Sequence, residues 1–399
     1  HASSDPNQTA HLFYFKQDQF ADLLKPVFSF QHIFTERNLI NLKVPNNWIY
    51  KNPYYVIEDS LIKITILHAL PPLSIIYFVF SAYLSKFIGF NYLSLYLIYG
   101  LLFFAVFYLS FKNLFRKYRY LIFILLSFPV LFMFDRGHFM SAISGFSIYF
   151  VIKNYVKNEK LKNIDLLLFI VSASIKPTYL IFGFLFLFNK TYTKNIKQFF
   201  KVSISYLISN YIFISLGNYL FPNYSLENFV YAYREYGGVY TSPWDSSIFG
   251  AFYNINSFLR GNYPDFFMNK FTSYLSGAIL TWKFTLLIMT LYLIILLFAY
   301  KLRLSEKISK LSFSLIVASI AALISLPNAD YHLILFVLLF LFLFEENLFL
   351  NYNYSLLIIS LILLPKLHYF SPLLNYSNII NAILLNSLIS FNLSSKARL

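Results

Sequence analysis

Residues 272–299 read TSYLSGAILTWKFTLLIMTLYLIILLFA, and residues 301–310, which follow almost at once, read KLRLSEKISK. The first stretch carries one charged side chain, Lys283. Wound as an α-helix at about 1.5 Å per residue, it exceeds the ~30 Å hydrocarbon core of a bilayer. The second stretch sets four cations against one carboxylate, Glu306. An apolar run that ends in a basic cluster is the pattern of a membrane helix whose cationic flank stays in the cytoplasm.

The same alternation runs through most of the chain. Apolar segments fall at about 66–88, 91–111, 120–134, 138–152, 164–175, 178–188, 202–220, 272–299, 311–326, 332–344, 354–364 and 376–391. Apolar residues make up 58% of the chain and charged residues 12%, about half the charged fraction of a soluble domain. The 34 tyrosines suit membrane interfaces, where the ring is buried and the hydroxyl stays wet. The composition therefore predicts an all-α, polytopic transmembrane helical bundle with about 11–12 apolar segments and two long outer loops. Its expected parts are a first outer loop with short amphipathic helices (1–65), an N-terminal transmembrane bundle (66–220), an outer loop (221–270) and a C-terminal transmembrane bundle (271–399). The chain opens on a polar stretch at His1, and a first helix upstream of it is expected.

The formal charge of +15 would suggest nucleic acid in a soluble protein. Here the cations lie in short runs between apolar segments, which argues against a nucleic-acid partner. No cysteine is present, which excludes disulfides, thiolate metal sites and a cysteine nucleophile. The basic runs are Lys112–Arg119, Lys153–Lys162, Lys190–Lys201, Lys301–Lys310, and Lys396 with Arg398. With all of them placed on the cytoplasmic side, parity holds from residue 91 onward. The turns left outside are Asp135–His138, Lys176–Pro177, the 221–270 loop, Pro327–His332 and Pro365–Pro372. Two pieces strain this scheme. Segments 164–175 and 178–188 are each too short to cross ~30 Å, so they are either tilted or a hairpin reaching a recessed outer cavity. Segment 66–88 fits only if it is re-entrant or interfacial.

An ionisable side chain close to a span is costly to keep there, which makes it a functional candidate by default. Asp5 is placed to be a general base near the outer end of the expected first helix, and is equally an ordinary loop carboxylate. Asp18 and Asp22 are its rivals, one helical turn apart. Asp135-Arg136-Gly137-His138 sits between two apolar runs. There an arginine offers a phosphate fork and a glycine permits close approach, although an Asp135–Arg136 pair ending a helix is the simpler alternative. Lys176-Pro177 interrupts an apolar stretch; proline frees backbone groups that a cavity must satisfy, and the lysine suits an anion. Snorkelling to the interface is the alternative. Asp330, Tyr331 and His332 put an acid, a phenol and an imidazole in one turn. Two of them as metal ligands do not define a site. In the long loop, Trp244 through Gly250 is the most organised stretch. No nucleotide-binding fingerprint and no Ser-His-Asp order is present.

Taken in order, these motifs resemble the polytopic GT-C glycosyltransferases, and most closely the polyprenyl-phosphate-mannose-dependent type, glycosyltransferase family 87. The residues that carry the resemblance are Pro71-Pro72-Leu73 after the first loop, Arg136-Gly137-His138 opening a helix, and Lys176-Pro177 about forty residues later. Asp245 through Gly250 in the outer loop and Ser325-Leu326-Pro327 through His332 before a span complete the set. Histidine stands at 138 where that family tends to have glutamine. The resemblance implies transfer of one hexose from a polyprenyl-phosphate sugar to a lipid or glycan acceptor, with inversion, in contact with membrane lipids. It implies Asp5 as base, and Arg136, Lys176 and His138 on the donor phosphate. Sugar and acceptor contacts fall to Asp330, Tyr331, His332, Trp244, Asp245 and Ser247. It calls for no cofactor and leaves metal dependence open. The expected setting is a bacterial inner membrane, with the site facing the periplasm. Two other classes fit the same composition: a transporter or flippase of lipid-linked saccharides, which favours mid-span charges and related halves, and a polymerase of them. Here the charges gather on one side and no repeat is evident.

Overall fold

The computed structural model describes residues 57–59, 62–64, 72–89, 92–112, 114, 127–157, 161–187, 192–220, 247–249, 251–252, 255, 282–324, 333–348, 350–364 and 377–394. The described residues are predominantly helical. Their one sheet is a small antiparallel hairpin, β1 (Ile57–Asp59) with β2 (Ile62–Ile64), in which Glu58 stands opposite Lys63. The helices in chain order are α1 (Pro72–Phe87), α2 (Tyr92–Ser110), α3 (Phe128–Arg136), α4 (Phe139–Lys157) and α5 (Asn163–Ile175). A 3-10 helix (Pro177–Leu187) follows, then α6 (Tyr192–Leu220), α7 (Trp282–Leu304), α8 (Lys310–Leu323), α9 (Ile334–Glu345), α10 (Asn353–Leu363) and α11 (Ser377–Ser394). Two of these, α2 over Leu93–Ser110 and α7 over Phe284–Leu304, are long and apolar enough to cross a bilayer.

Three helices form the centre. Every residue of α8 from Leu311 to Leu323 and of α9 from Ile334 to Leu343 is buried, as is most of α4. The serines inside α8 tolerate this because Ser314 and Ser319 donate back to Lys310 O and Leu315 O, which satisfies each hydroxyl within its own helix. Around this centre α2, α6 and α7 turn large apolar side chains outward, among them Leu101, Leu109, Leu207, Tyr211, Ile294 and Phe298. The inward face of α2 is an aromatic ladder: Phe103, Phe107 and Phe111 lie against Phe146 and Tyr149 of α4.

Helix α4 approaches α9 closely at Gly145. A Cβ added there would lie 2.7 Å from Ile334 Cγ2, a β-branched side chain with little χ1 freedom in a helix. Gly145→Ala is therefore expected to destabilise the bundle by about 1–3 kcal/mol through overpacking. Thermal melting of the purified variant measures this, and Ile334→Ala in the same chain is expected to restore part of the loss. No recovery in the double variant would remove this contact as the cause.

Polar contacts fix which helix ends share a level. Asn154 Nδ2 of α4 donates to Asp165 Oδ1 of α5 at 2.6 Å, and Lys201 of α6 reaches Asn163 at 3.1 Å. Lys153 meets Glu345 at 3.0 Å, and Lys157 pairs with Glu346. Ser309, just before α8, bonds Tyr352 just before α10, and Asn392 of α11 donates to Ser355 at 3.1 Å. The C-terminal ends of α4, α9 and α11 thus lie with the N-terminal ends of α5, α8 and α10. Most of the basic residues described here sit at this end. Asp165 is its buried keystone, because it also accepts from Lys162 N at 2.6 Å and caps α5. Asp165→Ala leaves two donors, Asn154 Nδ2 and Lys162 N, without that acceptor. A loss of about 1–3 kcal/mol is expected, read as a lower melting temperature; an unchanged one would exclude the capping role.

Helices α5 and the 3-10 helix fold back on each other about Lys176-Pro177. Phe169 of α5 lies 5.4 Å from the ring of Phe186, and a Cβ at Gly183 would meet Phe169 at 3.5 Å. Of the two sequence alternatives for these short segments, the hairpin is the one formed. The 3-10 winding was not foreseen. It has a length consequence: eleven residues at about 2.0 Å rise cover ~22 Å, matching the ~20 Å of the thirteen-residue α5. The helix of residues 202–220 also begins earlier than expected, at Tyr192, and takes up much of the basic run before it.

Candidate functional site

The site residues that the structure describes are built on two corners. The first joins α3 to α4. Gly137 ends α3 in the left-handed conformation, φ 71, and His138 N reaches back to Met133 O at 3.0 Å. Glycine alone takes that backbone angle without strain. Arg136 is thereby the last residue of α3, His138 the residue that leads into α4, and the two stand one glycine apart. The side chains of Asp135 and Arg136 lie outside the described residues. The His138 ring is half-buried, with Nδ1 2.6 Å from Ser141 Oγ one turn along α4. Beneath it Phe139 is buried against the rings of Tyr96, Tyr99 and Phe134, and Tyr96 donates to Phe134 O at 3.0 Å. The corner rests on packed aromatics.

The second corner is the turn from α5 into the 3-10 helix. Lys176 N closes α5 on Ser172 O at 2.8 Å, and Tyr179 N takes Lys176 O at 2.9 Å. Lys176 itself is extended, φ −128 and ψ 95, as a residue before proline tends to be. It is 7% exposed, and its ammonium stands 5.3 Å from the centroid of the Tyr179 ring. A cation taken from water needs compensation, and a tyrosine face supplies part of it. The hydroxyls leading to it are serines: Ser172 donates to Ser144 O of α4 at 2.8 Å, and Asn210 of α6 donates to Ser174 at 3.1 Å.

These contacts bring the two corners to one end. Ser172 and Ser144 are level across the α4–α5 hairpin. From there Lys176 is about 6 Å further along α5 and His138 about 9 Å further along α4, by helical rise. Arg136, His138 and Lys176 therefore share the end opposite the Lys153–Glu345 pair. The last turn of α8 and the first of α9, which flank residues 327–332, belong to this end too, since Ile334 lies against Gly145.

Ser247 lies on a third segment. It is fully buried, and its carbonyl accepts from Ala251 N at 3.1 Å. Its segment packs on the start of α7, with Phe252 edge-on to Phe284 at 5.1 Å. There it lines an open, mostly apolar groove of about 590 Å³ with Ile379, Ala382, Ile383 and Asn386 of α11. The sequence reading missed Tyr179, Asn210 and the α4–α5 serines. Their signal was available in Ser141, Ser144 and Ser147, a serine every third residue within an apolar segment. Asp5, Trp244, Asp245, Asp330, Tyr331 and His332 lie outside the described residues. Among the described residues no cluster of three or more His, Cys, Asp or Glu forms a metal cage. No protein-family model, curated protein or solved structure matches the chain.

Proposed function

We propose that the chain is a multi-pass membrane glycosyltransferase that moves one hexose, mannose or a relative of it, from a polyprenyl-phosphate donor to a lipid or glycan acceptor. The observation that carries this reading is the shared end: the Arg136–His138 corner and the buried Lys176 lie together, away from the ion-paired basic end. The membrane part draws on α2 and α7, which are long and apolar enough to cross a bilayer, and on the large apolar side chains that they and α6 turn outward.

In the proposed reaction Asp5 takes the proton of an acceptor hydroxyl, and the oxygen attacks the anomeric carbon from the face opposite the phosphate. The bond from carbon to the phosphate oxygen breaks with inversion, and the lipid phosphate departs as a monoester. That leaving group needs positive charge and no proton. Arg136 and Lys176 supply the charge as it develops, and His138 orients the phosphate. Asp330, Tyr331, His332, Trp244, Asp245 and Ser247 are the proposed contacts for sugar and acceptor. A site that reads a lipid phosphate needs no nucleotide-binding fold. The test is to offer purified protein labelled polyprenyl-phosphate hexoses together with candidate acceptors. Appearance of a singly glycosylated product supports the enzyme; donor moved across a sealed membrane without product sinks it in favour of a flippase.

A further inference from the structure

The end of the bundle opposite Lys176 gathers cations in one connection. On α4 and α9 the charges cancel, Lys153 with Glu345 and Lys157 with Glu346. The connection from α7 to α8 is cationic in sequence: Lys301, Arg303, Lys307 and Lys310 share it with one carboxylate, Glu306. Two of these cations are anchored and half-buried. Arg303 donates to Ile308 O at 3.4 Å, and Lys310 stands 5.9 Å from the Tyr155 ring centroid. The other two, Lys301 and Lys307, are exposed; Glu306, at φ 56, is exposed between them.

What precedes this connection is apolar. From Phe284 to Tyr300 helix α7 holds no Asp, Glu, Lys, Arg or His, and those residues rise about 25 Å. Only 17% of the α7 span is buried, and its outward face shows Leu293, Leu297, Phe298 and Leu304. An uncovered apolar stripe thus runs directly into a cationic cap. A phospholipid has the complementary form, with chains to lie on the stripe and a phosphate to meet the cations. A headgroup with net negative charge fits best, because a choline would bring a second cation to a site already rich in them.

We propose that the α7–α8 connection binds the phosphate headgroup of an anionic phospholipid whose acyl chains lie along the exposed face of α7. This rests on the membrane part of the reading above and not on sugar transfer. The full chain is reconstituted into nanodiscs of phosphatidylcholine and phosphatidylglycerol, and the lipids that stay bound on release are counted by native mass spectrometry. About tenfold enrichment of phosphatidylglycerol is expected. The double variant Lys301→Gln/Lys307→Gln, altered only at exposed positions, should fall to near parity with its helical content unchanged. Lys112→Gln, exposed at the end of α2, should keep the enrichment. Enrichment surviving in the double variant overturns the site. Equal loss in Lys112→Gln overturns it in favour of diffuse attraction, and displacement of the lipid by millimolar inorganic phosphate overturns the lipid assignment. Insertion without any preference contradicts this inference alone, whereas failure to enter the bilayer contradicts the membrane reading as well.

Discussion

Lys176→Met is expected to lower the rate of sugar transfer by about 10²–10³-fold, the usual loss when one preorganised group facing developing charge is removed. The direction of the stability change separates this role from a structural one. Lys176 is 7% exposed, and exchanging a buried cation for an apolar side chain of similar length tends to be neutral or stabilising. The contact with Tyr179 offsets that by about 0.5–2 kcal/mol. The account therefore predicts a melting temperature at or near that of the parent, with activity nearly gone. Lys176→Arg keeps the charge but spreads it over a planar fork, which is not an equivalent group; it should retain more activity than the methionine variant. A melting temperature that drops sharply while the residual folded fraction turns over at the parent rate would make Lys176 a packing residue.

The second large effect is expected at Asp5. Asp5→Asn keeps the shape and removes the base, and the transfer rate should fall by about 10²–10⁴-fold. Asp18→Asn and Asp22→Asn are the matched comparisons, because both are carboxylates of the same first segment. The account expects them to stay within a few-fold of the parent. If either of them collapses activity while Asp5→Asn does not, the base is the wrong carboxylate. A base also predicts that transfer in the parent fails on the acid side as the carboxylate is protonated. In Asp5→Asn the remaining activity should lose that acid limb.

Much of this architecture was legible in hydropathy and charge, and the reasons differ by element. Within the span read from 272–299 the structure describes α7, Trp282–Leu304, which runs on into the basic cluster because Lys301 and Arg303 continue a helix as well as they end an apolar run. The short length of 164–175 and 178–188 left two alternatives, tilted segments or a hairpin, and a hairpin is present. That its second arm is wound as a 3-10 helix was not legible: the choice between bonds to i+3 and i+4 leaves no trace in hydropathy. The short β1–β2 hairpin escaped because three-residue strands offer too little alternation to read.

The candidate site was legible as motifs and not as geometry. Arg136-Gly137-His138 announced a glycine corner, and Gly137 takes the left-handed angle that a helix stop demands. Lys176-Pro177 announced a cation in a broken helix. What sequence order could not give is that these corners, forty residues apart, lie level across the α4–α5 hairpin. That follows from Ser172 meeting Ser144 and Asn154 meeting Asp165, pairings that sequence order does not announce. Ser247 is fully buried, in a segment that packs on the start of α7 and lines a groove with α11, a placement its motif did not announce.

The central claim is that sugar is transferred at the end of the bundle that holds His138 and Lys176. The most direct measurement uses sealed proteoliposomes in which the orientation of the chain has been fixed by labelling. Polyprenyl-phosphate hexose carrying a radiolabel is supplied in the membrane, and a water-soluble acceptor is placed either inside or outside. The account predicts singly glycosylated acceptor only in the compartment facing the His138–Lys176 end, and none with Lys176→Met. Product only in the compartment facing the Lys153–Glu345 end, or donor crossing the membrane with no product on either side, would contradict it.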